Sequence, residues 1–249
     1  MSERIRLDLA MEQRGLVPSR ARARDAILRG TVTLNGVVAV KQNQMVGKDD
    51  LVALSDPAAN YVSRAALKLV AGLDAGAIEV AGKVCADIGA STGGFTQVLM
   101  ERGAARIYAV DVGHGQLHER LKGSDRVVSM EGINARDLTA AMIPQPVELL
   151  VSDVSFVSVT KVLAGPLALC APGADAVILF KPQFEVGRRN VGKGGIVRSD
   201  EVIAEALAEM IGFMAEQGFA HQLSIPSPIT GGDGNTETVA IFRKNAVLS

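Results

Sequence analysis

The sequence predicts an α/β protein: a Rossmann-like domain, with a parallel sheet and helices on both faces, preceded by a small α+β domain. Three observations carry this. From Lys83 onward, apolar strand-like runs alternate with helical segments, the pattern of a parallel sheet wound with helices. A glycine-rich turn, Gly89–Gly94, follows the first of those runs. The N-terminal stretch reads differently, as two short helices and then a hairpin. The proline and small residues of 55–61 (SDPAANY) mark a linker, giving a first domain over residues 1–59 and a second over 60–249.

In the first domain Leu7, Ala10 and Met11 recur at helical spacing, and Gly15 stops that helix. Ser19 is placed to N-cap a second helix, whose apolar stripe is Ala23, Ala26 and Ile27, and Gly30 ends it. Thr31–Leu34 and Val37–Val40 are β-prone, and Asn35-Gly36 between them is a strong hairpin signal. Arg20 and Arg24 fall on one side of the helical stripe, Arg22 and Arg29 on the other. These arginines fit two readings, a solvated helix face or a clamp for RNA phosphates, which Arg4 and Arg6 would join.

Charge favours contact with a polyanion at this end. The chain of 249 residues has a net charge of −1, yet residues 1–59 hold nine Lys/Arg against seven Asp/Glu. Apolar residues at 48% and charged residues at 21% describe an ordinary globular chain. No apolar run reaches the length of a membrane span, and the charged start lacks a signal-peptide core, so a cytoplasmic protein is expected. Cys85 and Cys170 sit in apolar contexts and read as buried small hydrophobes rather than a disulfide. No metal ligand set is expected.

In the second domain Val84–Ile88, Ile107–Val110, Val127–Met130, Leu149–Ser152 and Val177–Phe180 read as strands, with Phe219–Ile225 and Glu237–Arg243 closing the sheet. Helical patterns fall at Ser63–Leu73 and near 95–102, 158–169 and 199–217. Ligands of such sheets bind beyond the carboxyl ends of the strands, where strand order reverses. The first of those ends carries Asp87, Gly89, Ser91, Thr92, Gly93, Gly94 and Phe95, and its glycines allow close approach of backbone to a ligand. Asp111, about 20 residues on, is placed to accept hydrogen bonds from ribose hydroxyls. That fingerprint alone fits a dinucleotide as well as S-adenosylmethionine. Asp87 ahead of the turn, where it could face a cationic amino-acid group, and Ser91-Thr92 in place of a central glycine shift the balance to S-adenosylmethionine. Asp137 could contact an adenine amino group or N-cap a helix.

Four charges look poorly placed for stability alone. Lys68 follows Arg64 by four residues on one helix, Lys181 ends the apolar strand AVILF, Asp153 follows another strand, and Glu237 begins one. A ribose hydroxyl attacking a methyl group must lose its proton, and a lysine whose pKa is lowered by burial and a neighbouring cation can take or stabilise it. The two carboxylates would orient the two lysines.

The string SRARARDAILRGTVTLNG resembles the S4 RNA-binding domain over roughly residues 3–55. YVSRAALKL, DIGASTGGFT, SDVSF, KPQFE, VGKGGIVR and GNTE resemble the haemolysin A-type rRNA methyltransferases, S4-domain relatives of the FtsJ-type 2′-O-methyltransferases, along nearly the whole chain. That resemblance implies a Lys-Asp-Lys-Glu tetrad at Lys68, Asp153, Lys181 and Glu237. It implies S-adenosylmethionine held by residues 87–95 with Asp111 and Asp137, and cytidine ribose methylation in ribosomal RNA or ribosomal subunits. One departure is Gly231-Gly232-Asp233, where the resemblance leads one to expect a proline near the glycine. Three other classes compete: a membrane-lytic protein, a non-catalytic RNA-binding assembly factor and a dinucleotide oxidoreductase. The absence of a spanning segment speaks against the first, the complete tetrad against the second, and the arginines with Lys181 against the third.

Overall fold

The computed structural model describes residues 4–246, and the chain divides into two compact units between Asn60 and Tyr61. In the first unit β1 (Ile5–Arg6) leads into α1 (Leu7–Gln13), and α2 (Arg20–Leu28) follows. Ser19 Oγ accepts the Arg22 N–H at 3.4 Å, so the expected N-cap is in place. β2 (Val32–Leu34) and β3 (Val37–Val38) pair antiparallel across Asn35 and Gly36, both of which have positive φ. β4 (Met45–Val46) pairs with β1, and β5 (Val52–Leu54) pairs with β2. Elements of two or three residues carry no readable period, so β1, β4 and β5 are not expected from the sequence. The two helical stripes meet as expected: Leu7, Ala10, Met11, Ala23, Ala26 and Ile27 share one buried core with Val32 and Val52.

The second unit runs through α3 (Ala66–Ala75), β6 (Val84–Ile88), α4 (Gly94–Glu101), β7 (Arg106–Asp111), α5 (Glu119–Lys122), β8 (Val127–Glu131) and β9 (Val147–Ser152). Then come α6 (Ala164–Ala168), β10 (Cys170–Phe180), α7 (Pro182–Glu185), α8 (Asp200–Glu216), β11 (Phe219–Pro226) and β12 (Thr238–Lys244). One seven-stranded sheet has the order β11-β12-β10-β9-β6-β7-β8. The five strands from β10 to β8 are parallel, while β12 runs antiparallel to β10 and β11 antiparallel to β12. The chain moves outward from β6 to β8 and then returns to β9 on the other side of β6. Strand order therefore reverses between β6 and β9, at the ends that carry Asp87 and Asp153.

Both faces of the sheet are covered, which explains the near-continuous apolar strands. Ala86 and Ile88 pack on one side with Leu167 of α6 and Met210 and Met214 of α8. Cys85 and Val151 pack on the other with Leu69 and Leu73 of α3 and Val98 and Leu99 of α4. Two expectations need correction. β10 begins at Cys170 rather than Val177, because Pro172-Gly173, which reads as a turn, lies within an irregularity in the register with β9. The helical pattern at 158–169 splits into a 3₁₀ turn, Val159–Lys161, and α6, where Pro166 is accommodated only in a new first turn.

Candidate active site

The carboxyl ends of β6, β7 and β9 surround a cavity of about 480 Å³. Its walls are largely aliphatic, with Ile88, Val110, Val112, Ile133, Val154 and Val162 among them, a surface suited to a flat heteroaromatic ring. Asp111 stands at the mouth, its carboxylate fixed by backbone: Oδ2 accepts the Ser91 N–H at 2.8 Å and Oδ1 the Gly113 N–H at 2.7 Å. Ser91 has φ +47, which turns that N–H towards Asp111. Each carboxylate oxygen keeps a lone pair for a ribose hydroxyl.

The glycine turn serves packing as much as ligand approach. Gly93 has φ +94, and a Cβ there would lie 2.3 Å from Leu121 Cδ1 and 2.7 Å from Leu117 Cδ1. Gly94 abuts Ser63 and Ala66 in the same way. Gly89 and Ser91 line the large cavity. Thr92, Gly94 and Phe95 line a neighbouring one of about 140 Å³ instead, and Gly93 lines neither. Asp87 also lines neither, being fully buried beneath the turn. Thr96 Oγ1 donates to its Oδ2 at 2.6 Å, while Oδ1 is buried with no hydrogen-bond partner among the described residues. Burial pushes the Asp87 carboxyl up to about 7, opposed by the Thr96 hydroxyl and reinforced by the carboxylates of Asp153 and Asp111. An orphaned buried acid under a ligand-sized cavity fits a site that receives a cation. With the aliphatic walls and Asp111, the residues present fit S-adenosylmethionine.

The four charges form two ion pairs, beyond the carboxyl ends of β9 and β10. Lys181 Nζ lies 2.5 Å from Asp153 Oδ1, donates to Ser155 Oγ at 2.7 Å, and makes a longer contact of 3.4 Å to the Asp153 carbonyl. Lys68 Nζ donates to Glu237 Oε2. Topology brings the pairs side by side: Asp153 follows β9, Lys181 follows β10, and Glu237 precedes β12, whose first residue, Thr238, is registered with Phe180. Each lysine therefore has a carboxylate rather than a cation as its bonded partner. The Gly231–Asn235 turn supports Glu237, with the Gly231 N–H bonded to the Asn235 carbonyl at 2.9 Å, so the unexpected glycines leave the glutamate in place. The large and small cavities share Gly89, Ser91, Asp153 and Ser155, and Lys181 lines the small one. Lys68 and Glu237 line neither.

Asp137 is a correction. It is exposed and lines neither cavity, and the N-cap of its 3₁₀ turn is Asn134, whose Oδ1 accepts the Arg136 N–H at 3.1 Å. Asn134, Ala135 and Arg136 line the cavity in its stead. Sequence reasoning also passed over Ser155 and Phe156, although both lie in the singled-out string SDVSF. Phe156 is 91% exposed, has φ +67, lines the large cavity, and sits 5.2 Å from the Phe184 ring.

In the first unit the arginines sort differently from the expectation. Arg29 is enclosed, its fork bonded to Asp56 at 2.6 Å through both terminal nitrogens and to Asp25 at 3.0 Å. Arg22 donates to the Ala58 carbonyl at 3.0 Å. These two fasten residues 56–58 onto α2, so the start of the expected linker belongs to the unit. Arg6, Arg20 and Arg24 instead converge on the buried carboxylate of Asp8, and Arg4 pairs with Asp50 at 3.6 Å.

Comparison with known proteins agrees with both halves. Residues 61–244 match the FtsJ-like methyltransferase family, and residues 5–52 match the S4 domain. Over 239 residues the chain is 43% identical to the 16S/23S rRNA (cytidine-2′-O)-methyltransferase TlyA of Mycobacterium tuberculosis, covering 95% of this chain and 89% of that one. It is 40% identical over 240 residues to Hemolysin A of Brachyspira hyodysenteriae, covering 96% and 99%. A solved structure of a candidate hemolysin from Streptococcus thermophilus superposes with a TM-score of 0.76 at 35% identity, covering 98% of this chain and 90% of that one. The chain thus belongs to the FtsJ-like methyltransferase family, with an S4 domain ahead of its methyltransferase domain.

Proposed function

We propose that the chain transfers a methyl group from S-adenosylmethionine to a ribose 2′-hydroxyl, that of a cytidine, in ribosomal RNA. The observation that carries this is the Lys181–Asp153 pair at the wall shared by the two cavities. The methyl donor would occupy the large cavity, with its adenine between the aliphatic walls, its ribose on Asp111 and its cationic end over Asp87. When bound, it supplies a methyl carbon made electrophilic by the sulfonium. The remaining work falls to the chain. Lysine has three N–H donors; on Lys181 one is given to Ser155 Oγ, while the ammonium as a whole is held against the Asp153 carboxylate as an ion pair. A second donor makes only the 3.4 Å contact to the Asp153 carbonyl, which a ribose hydroxyl entering the small cavity would displace. Lys181 then positions that oxygen in line with the methyl carbon and, as the O–C bond forms and the C–S bond breaks to leave S-adenosylhomocysteine, passes the hydroxyl proton on to the Asp153 carboxylate. Lys68 and Glu237 hold the neighbouring position and set the field around the first pair. The exposed Phe156 ring offers a face on which the target base stacks.

The N-terminal unit contributes RNA affinity through arginine–phosphate contacts, and ribosomal subunits in the cytoplasm would be the partner. Mapping ribose methylation in rRNA from cells with and without the protein tests the reading: loss of specific 2′-O-methyl cytidines is expected, and an unchanged map overturns it. The hemolysin names among the relatives favour a second reading, a lytic protein. Among the described residues no helix is long and apolar enough to cross a membrane, and a liposome leakage assay with pure protein separates the two.

A further inference from the structure

We propose that Asp8 is a positioning residue for RNA binding: buried beneath Arg6, Arg20 and Arg24, it fixes three guanidinium groups as one face for adjacent phosphates. The inference rests on the reading that the N-terminal unit binds RNA.

Asp8 is fully buried in the first turn of α1. Its Oδ1 accepts Arg6 Nε at 2.9 Å and the Leu9 N–H at 3.0 Å. Its Oδ2 accepts Arg6 Nη2 at 3.1 Å, Arg20 Nη2 at 3.2 Å and Arg24 Nε at 3.3 Å. Arg6 comes from β1, while Arg20 and Arg24 are one turn apart on α2, so the carboxylate gathers cations from two elements. Those arginines hold the Asp8 carboxyl well below the usual carboxylate range, Arg6 most strongly.

Three features of this knot favour a further, anionic partner. The arginine side chains are 40%, 42% and 47% exposed, so each keeps donors facing solvent. Among the described residues no other carboxylate pairs with any of the three, and one negative charge leaves two positive charges uncompensated. Arg20 Nε is buried without a hydrogen-bond partner. Like charges crowded this closely raise the electrostatic energy of the free protein, and phosphates in front of them lower it. Guanidinium forks match phosphate oxygens, and side chains ordered in advance need not be ordered on binding.

Bulk charge and positioning make opposite forecasts for one substitution. Asp8→Asn makes the unit more positive, so bulk electrostatics alone would tighten RNA binding. Positioning requires it to weaken, since the forks lose their common anchor. In the full-length protein bound to purified 16S and 23S rRNA, Asp8→Asn should weaken affinity roughly tenfold or more and make the slope of log Kd against log salt shallower by about one. Combined with Arg6→Ala, Arg20→Ala and Arg24→Ala, it should add nothing, because nothing remains to be positioned. Unchanged or tighter binding by Asp8→Asn overturns the inference. So does an equal loss in the triple-alanine background, which would mark general damage to the fold. If thermal unfolding shows that Asp8→Asn does not fold, the triple variant Arg6→Lys, Arg20→Lys, Arg24→Lys keeps both Asp8 and the charge. Weakened binding there supports the inference, and wild-type binding overturns it. Should the triple-alanine variant bind rRNA like wild type, the RNA-binding reading itself fails, an outcome distinct from loss in that variant without loss in Asp8→Asn.

Discussion

At Lys181 a single ammonium is paired with one carboxylate and bonded to one hydroxyl, with a further donor poorly engaged, and each of these contacts can be removed separately. Lys181→Ala should leave cofactor and RNA binding near wild type and slow single-turnover methyl transfer by roughly 10²-fold or more, as for lost acid–base catalysis. Lys181→Arg should fail too, since the guanidinium is larger and does not give up a proton. Near-normal single-turnover rates in Lys181→Ala would sink the proposed mechanism while leaving the family assignment intact. Asp87 makes a second, pH-dependent test. Its carboxyl, pushed up to about 7 by burial, is largely protonated below that pH in the free protein. A cation bound above it favours the ionised form, so binding below that pH must release a proton. Affinity for S-adenosylhomocysteine should therefore rise as pH climbs from about 6 to 7 and level off above, with proton release visible by calorimetry in buffers of different ionisation heat. Asp87→Asn should abolish that pH dependence. A wild-type affinity flat across the same range would show that Asp87 does not sense the cofactor. Much of this site was legible because a charge at the end or start of an apolar strand has few structural explanations; Lys181 and Asp153 follow such strands and Glu237 precedes one. Asn134, Ser155 and Phe156 were not, because a polar or aromatic residue in a loop carries no periodicity that says which way it faces. Asp137 was misplaced for the same reason, immediately after the run Asn134–Arg136 that lines the cavity.

At the level of elements, α3 sets the Lys68–Glu237 pair by how closely it lies on the sheet. Gly72, one turn after Lys68, meets β10 and β12 so tightly that a Cβ would stand 2.7 Å from Val239 Cγ1 and 2.9 Å from Val177 Cγ1. Gly72→Ala should push the helix outward, cost about 1–3 kcal/mol of stability as overpacking does, and draw Lys68 away from Glu237. Thermal unfolding and single-turnover rates check this together, and a Val239→Ala companion should restore both in part. Full stability in Gly72→Ala would mean that the helix has room to shift and that its seating does not set the pair. The same close seating explains why α3 was readable, since its apolar residues recur on one face, while its partner could not be named. Pairing across 169 positions of chain follows from strand order, which apolar runs do not encode. The short elements β1, β4 and β5 were invisible for a different reason. They are held by the partners they pair with rather than by any preference of their own residues.

At the scale of the whole molecule, charge and chemistry are divided between two units. The arginine cluster gathered on Asp8 belongs to residues 1–60, and the two cavities and the two lysine–carboxylate pairs to residues 61–249. The division was visible in the sequence as a change from helices and a hairpin to alternating strands and helices, together with the basic excess of the first part. What the sequence did not show is that only some of the arginines are available, since Arg29 and Arg22 tie down residues 56–58. If affinity and catalysis are separable in this way, they should respond differently to salt. Phosphate contacts release counterions, so raising salt should raise KM for rRNA steeply while kcat, measured with RNA saturating, changes little. Replacing Arg20 and Arg24 with alanine should raise KM at low salt and flatten its salt dependence by about one contact for each arginine removed. Cofactor affinity should not move, because none of the cavity-lining residues lies in the first unit. Matching Arg22→Ala should do less to the salt slope, since its guanidinium fastens residues 56–58 to α2 rather than joining the cluster on Asp8. Steady-state kinetics across a salt series, with calorimetry for the cofactor, reads all of these. A fall in kcat at saturating RNA in the Arg20→Ala, Arg24→Ala variant, or a loss of cofactor affinity, would show that the N-terminal unit also shapes the active site and would defeat the separation.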